Sequence, residues 1–123
     1  MQHTDLTHQI IAAAYAVHNA LGPGFLEKVY ENALLVELRH RGLLAEQQVG
    51  IPVYYRDQQV GDFVADLFVE GHVILELKAV EAIHPKHELQ LVNYLTATGN
   101  EIGLLINFGS RVEVKRKYRT YAS

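Results

Sequence analysis

The chain has 123 residues, 49% of them apolar and 20% charged, with a net charge of −3 and no cysteine. Such a chain fits one ordinary domain, residues 1–123, burying roughly two-thirds of the surface its unfolded form would expose, and it excludes disulfides and thiolate metal sites. No apolar run approaches the roughly 18 residues of a membrane span, the opening "MQHTDLTHQI" is not a signal sequence, and the acidic balance argues against broad electrostatic adhesion to nucleic acid; the expectation is a cytoplasmic protein with no membrane partner.

From Asp5 to Leu21, Ile10, Ile11, Ala14, Val17, His18 and Leu21 recur at helical spacing, with Thr4 or Asp5 placed to cap the start. "LGPG" at 21–24 breaks the pattern through two glycines and a proline. A second helix follows, with Leu26, Val29, Tyr30, Ala33, Leu34 and Leu38 on one face, Gly24 near its N-cap and Gly42 just past its end. The period then changes to two. Val49, Ile51, Val53 and Tyr55 alternate, "RDQQ" at 56–59 reads as a turn, and residues 60–69 return as a strand. Alternation there predicts Phe63, Ala65, Leu67 and Val69 on one face, with Asp62, Val64, Asp66 and Phe68 on the other. Gly71 marks a further turn, and 72–80 make a third strand. A helix is predicted from about Lys86 to Thr98, after Pro85 and before Gly99. "IGLLINF" and "RVEVKRKY" close the chain as strands. The order αα-βββ-α-ββ predicts an α/β fold, a mixed central sheet with helices packed on it.

The third strand, "VILELKAVE", carries two charges among apolar residues. Glu76 and Lys78 share one face, and Leu75, Leu77 and Ala79 the other. If the second and third strands pair through the turn near Gly71, Asp66 lies across from Glu76 or beside it. Two converging carboxylates favour a divalent cation between them. Mg²⁺ in particular is held by one or two carboxylates with waters and substrate phosphates. A neighbouring lysine can steer a water or stabilise charge on a phosphate, which completes a minimal set for phosphodiester hydrolysis. A structural Glu–Lys or Asp–Lys ion pair at a strand end accounts for the same residues, and spacing does not separate the two. Glu27 likewise reads as a first-turn acid favoured by the helix dipole.

In combination, "VHNALGPGFLEKVYENAL", "ADLFV", "ILELKAV" and "QLVNYL" closely resemble the bacterial GxxExxY protein family, grouped with the PD-(D/E)XK nuclease-like superfamily. The resemblance runs over about residues 8–117. It rests on Gly24-x-x-Glu27-x-x-Tyr30, Asp66, Glu76-x-Lys78 and Gln90-x-x-x-Tyr94. It implies a PD-(D/E)XK nuclease-like fold, Asp66 as the motif aspartate (with Ala65 in place of the usual proline), and Glu76 and Lys78 as the (D/E)-x-K pair. It further implies Mg²⁺ or Mn²⁺ held by Asp66, Glu76, the carbonyl of Leu77 and Glu27. Glu27 matches an extra acidic position of the RecB-like branch. Gln90 and Tyr94 resemble that branch's Q-x-x-x-Y helix, steadying the lysine or touching the nucleic-acid backbone.

The resulting expectation is a metal-dependent nuclease acting on nucleic acid, DNA rather than RNA, with catalytic residues Lys78, Glu76, Asp66, Gln90 and Tyr94. The alternative is a non-catalytic nucleic-acid- or protein-binding module that keeps the fold. A domain this small has little surface for enclosing a duplex, so a homodimer or a protein partner is expected under either reading. Three further features have ordinary explanations. His18 fits helix packing, His84 and His87 fit a solvated helix start rather than a metal pair, and the basic run Lys115, Arg116, Lys117 and Arg119 fits a charged edge strand as well as a phosphate contact.

Overall fold

The structure, a computed structural model, describes residues 4–121. It runs α1 (Thr4–Leu21), α2 (Glu27–His40), β1 (Ala45–Tyr55), β2 (Gln58–Val69), β3 (Val73–Lys78), α3 (Pro85–Thr98), β4 (Ile102–Phe108) and β5 (Val112–Tyr118). This is the expected αα-βββ-α-ββ order. The five strands form one sheet in the order β1-β2-β3-β4-β5. All neighbours are antiparallel except β3 and β4, which the α3 crossover makes parallel.

Both faces of the sheet are covered. On one face, Leu6, Ile10, Ala14 and Val17 of α1 and Tyr30, Leu34 and Leu38 of α2 pack on Leu75, Leu77, Leu104 and Ile106. On the other, Leu91 and Leu95 of α3 pack on Ile74, Leu105, Phe63 and Ala65. Burial on both sides makes β4 apolar throughout but for Gly103 and Asn107, as expected of a parallel-paired central strand. Gly103 lets α3 sit close: a Cβ there would stand 3.1 Å from the Leu91 side chain and 3.3 Å from the Ile74 carbonyl.

Several boundaries differ from the sequence expectation, each for a local reason. Asp5 lies inside the first turn of α1 rather than capping it, where its charge still favours the helix. The N-cap of α2 is Leu26, two residues after Gly24 and without a side-chain cap. Gly24, at φ 102, serves the loop before it. The β1–β2 turn is tighter than 56–59, because Arg56 and Asp57 both adopt positive φ, at 50° and 62°, and Gln58 and Gln59 already pair with β1. Pro85 belongs to α3, as the first-turn residue its fixed φ suits, and His84 Nδ1 caps it by accepting from Lys86 N–H at 3.0 Å. The third strand ends at Lys78 rather than residue 80.

One difference bears on the site. Phe63, Ala65, Leu67 and Val69 are all buried but do not share a face. Phe63 and Ala65 pack toward α3, whereas Leu67 and Val69 pack toward α1 and α2. The facing changes at Asp66. Opposite it on β1, between the pairs Gln47↔Leu67 and Val49↔Ala65, Gln48 takes φ 53, a left-handed conformation that breaks strand alternation.

Candidate active site

The β2–β3 ladder runs through Val69↔Val73, Phe68↔Ile74 and Leu67↔Leu75, and ends there. One step further in this register sets Asp66 opposite Glu76, the convergence expected from sequence. The backbones part at that point and the Asp66 side chain enters the fork. Its Oδ2 accepts from the Leu77 N–H at 2.8 Å, while the Asp66 N–H lies 3.4 Å from Glu76 Oε1. Carboxylates thus replace the missing rung of the ladder, which holds both at the open end of the sheet.

The first turn of α2 brings a third carboxylate, Glu27, close enough for its charge to act on Asp66 and Glu76. One turn later comes a fourth, Glu31, which sequence reasoning missed. Its side chain is only 3% exposed and receives Lys28 Nζ at 2.9 Å. It also accepts from Gln47 Nε2 at 2.6 Å and from Gln48 Nε2 at 3.1 Å. Gln48 Nε2 in turn stands 3.5 Å from Asp66 Oδ1, at the limit of a hydrogen bond. The backbone break at Gln48 therefore places an amide between Glu31 and Asp66. The available signal was the four-residue spacing of Glu27 and Glu31, which stacks two acids on one helix face.

The electrostatics follow from this crowding. Burial pushes the Glu76 carboxyl up to about 8, helped by the negative charges of Asp66 and Glu27 and opposed by Lys78. Burial also raises Asp66, against the Leu77 hydrogen bond, and raises Glu27, with Asp66 adding to the effect. Glu31 goes the other way: burial pushes its carboxyl up, but the hydrogen bonds from Lys28, Gln47 and Gln48 outweigh it and the carboxyl is held low. One ionised acid thus sits behind a group of acids that resist ionising together.

Lys78 shares the face of Glu76, toward α3, and lines a pocket of about 420 Å³ with Lys86, His87 and Gln90. Among the described residues it makes no ion pair, so the structural Glu–Lys or Asp–Lys pair is not formed. Gln90 is exposed and lines the same pocket as Lys78. Tyr94 turns inward, its ring stacked on Phe63 at 4.1 Å, and packs the α3 face. His84 is occupied as the α3 cap, and His18 Nε2 meets the Gly109 carbonyl at 2.8 Å. In the basic run, Lys117 pairs with Glu88 at 2.7 Å, and β5 lies at the sheet edge.

Among the described residues no three His, Asp or Glu side chains form a ready-made metal cluster. The donor set nevertheless fits a hard dication of the open kind, which one or two carboxylates hold with water. Asp66 and Glu76 meet in the fork, where the Leu77 N–H donates to Asp66 and where burial, with the negative charge of Asp66 adding to it, raises the Glu76 carboxyl.

The family described as "PD-(D/E)XK nuclease superfamily" matches residues 4–118. Among solved structures, the protein of "Crystal structure of SSO0001" shares the fold with a TM-score of 0.61 at 17% identity over 98% of this chain. This chain spans only 61% of the length of that one. No curated protein matches the sequence.

Proposed function

The chain belongs to the PD-(D/E)XK nuclease superfamily, and on that premise we propose that it is a Mg²⁺- or Mn²⁺-dependent nuclease cutting DNA phosphodiesters. The observation that carries this reading is the strand fork. Asp66 and Glu76 replace a ladder rung, and Lys78, two residues on, is left without an ion pair among the described residues. Asp66, Glu76 and the Leu77 carbonyl would hold the ion, with Glu27 assisting directly or through water. The ion, when bound, supplies a Lewis acid and lowers the pKa of water. The Lys78 ammonium donates to the scissile phosphate and balances charge that builds on its oxygens. Gln90, at the rim beside Lys78, donates its amide to a phosphate oxygen and orients the strand. Tyr94 acts at one remove, fixing α3 against Phe63 so that Gln90 and Lys78 keep their separation.

The test is incubation of the purified protein with single- and double-stranded DNA and RNA in Mg²⁺ or Mn²⁺. Cleavage of DNA is expected, abolished by chelation and reduced about 10²- to 10⁴-fold by Lys78→Ala. Absence of cleavage of every substrate in both metals overturns the reading. DNA binding that persists unchanged in Glu76→Gln and Lys78→Ala would instead assign a binding module.

A further inference from the structure

A second concavity of about 570 Å³ opens next to the carboxylates, lined by Pro23, Phe25, Val80, Glu81, Gly109 and Ser110 among others. One wall is the loop that ends two residues before Glu27. The other starts directly after Lys78, where β3 has ended. Its size falls in the range of small-ligand sites, roughly 300–1,000 Å³.

The pocket is rigidly framed. The Tyr30 hydroxyl donates to the Gly22 carbonyl and accepts from the Phe25 N–H, which fixes the loop wall. The buried Asn107 side chain bonds both the N–H and the carbonyl of Val80, at 2.9 and 2.8 Å, and fixes the opposite wall. Gly109 lies so close to that wall that a Cβ would stand 2.8 Å from the Val80 carbonyl. Into this frame Phe25 presents a ring that is 47% exposed and meets Tyr30 edge-on at 6.1 Å.

No lysine or arginine lines the pocket, and its one charge is the Glu81 carboxylate. A phosphate would be repelled. Lys78 and Lys86 lie instead around the smaller pocket, and Arg111 lines a neighbouring concavity beyond Glu81 and Ser110. A strand whose phosphate sits at the fork must place its uncharged part nearby, and an exposed aromatic ring in a concave wall suits a flat base. We propose that this pocket receives a nucleobase flanking the cleaved phosphodiester, stacked on Phe25, an inference that rests on the nuclease reading of the neighbouring carboxylates.

The experiment uses short single-stranded DNA with one abasic residue moved through each position around the cut. Affinity is read by fluorescence anisotropy without divalent metal, and cleavage in Mn²⁺. One abasic position beside the cut should weaken binding about ten-fold, the order of one lost stacking contact. Phe25→Ala should cost the same with intact DNA and make that abasic position neutral, while Phe25→Trp should restore binding. A melting temperature matching the parent protein shows that Phe25→Ala has kept its fold. If the protein cuts DNA but no abasic position matters, the base pocket is overturned and the nuclease reading stands. If it neither binds nor cuts, both fall. If Phe25→Ala changes the mass in light scattering and leaves DNA affinity intact, the surface is a self-association site and the proposal is overturned.

Discussion

The phenol of Tyr30 donates to the carbonyl of Gly22 at 2.6 Å and accepts from the N–H of Phe25 at 3.2 Å, so one buried side chain ties both ends of the loop leading into Glu27. Its ring stacks on Phe108 of β4 at 4.7 Å. The loop in between needs Gly22 and Gly24, at φ 76 and 102, because a side chain at either would be strained. Gly24-x-x-Glu27-x-x-Tyr30 thus divides its labour. The glycine lets the chain turn, the tyrosine anchors the turn to the core, and the helix start aims the glutamate at the strand fork.

Tyr30→Phe keeps the stacked ring and removes only the hydroxyl. It leaves the Gly22 carbonyl and the Phe25 N–H without that partner, and because Gly22 is half-buried and Phe25 exposed the loss is about 0.5–1.5 kcal/mol per hydrogen bond. Urea unfolding should show the midpoint falling with an unchanged slope. An unchanged midpoint would mean the loop is held by something other than this hydroxyl.

Glu76 gives the metal-free protein a specific pH dependence. Its folded carboxyl is raised from 4.5 to about 8, so the native state binds this proton more tightly than the unfolded chain does. The associated stability is fully present below about pH 4.5 and is lost progressively as pH rises through about 8. Each unit is worth about 1.36 kcal/mol, so a loss of a few kcal/mol accumulates across the window. Glu76→Gln should therefore raise the melting temperature at pH 8 to 9 and change it little near pH 4. Mn²⁺ should stabilise the parent protein at pH 7 with release of a proton, measured by calorimetry in buffers of different ionisation enthalpy. Equal effects of Glu76→Gln at both ends of the pH range would refute the burial of this carboxyl.

The same residues mark how far the sequence could be read. Elements with a repeating apolar period and strong punctuation were legible: α3 between Pro85 and Gly99, and β3 with its two charges on one face. Asp66 opposite Glu76 was legible only loosely, since its register depends on the turn at 70–72. Glu31 was not. A glutamate inside a helix reads as solvated, and its burial is decided by Gln47 and Gln48 on a strand that follows the helix. The facing change at Asp66 was equally hidden, because positive φ at Gln48 is imposed by tertiary packing on a residue with no intrinsic preference for it.

Asp66 has two separable functions, one structural and one electrostatic. Asp66→Asn retains an oxygen that can accept from the Leu77 N–H, while Asp66→Ala leaves that donor, on the fully buried Leu77, without it. Asp66→Ala should lose about 1–3 kcal/mol more than Asp66→Asn, and both should abolish Mn²⁺ binding in calorimetry. Retention of metal binding by Asp66→Asn would remove this carboxylate from the ion's ligands.

Lys78→Ala separates a stabilising lysine from a functional one. A lysine paired within a buried network would cost about 3–5 kcal/mol on removal, because its partner would be left uncompensated. Here the ammonium makes no ion pair among the described residues, and it opens onto a pocket with Lys86, His87 and Gln90. Its charge does lower Glu76 and Asp66, though burial and neighbouring acids dominate both. The variant should thus unfold within about 0.5 kcal/mol of the parent protein, the usual scale for changes outside packed or paired sites. Its carboxylates should titrate still higher, shifting Mn²⁺ binding to higher pH. Denaturant titration and calorimetry on one preparation check both. A loss of several kcal/mol would show that Lys78 is part of the scaffold, whereas near-parental stability with a lost cleavage rate would place its function in the chemistry.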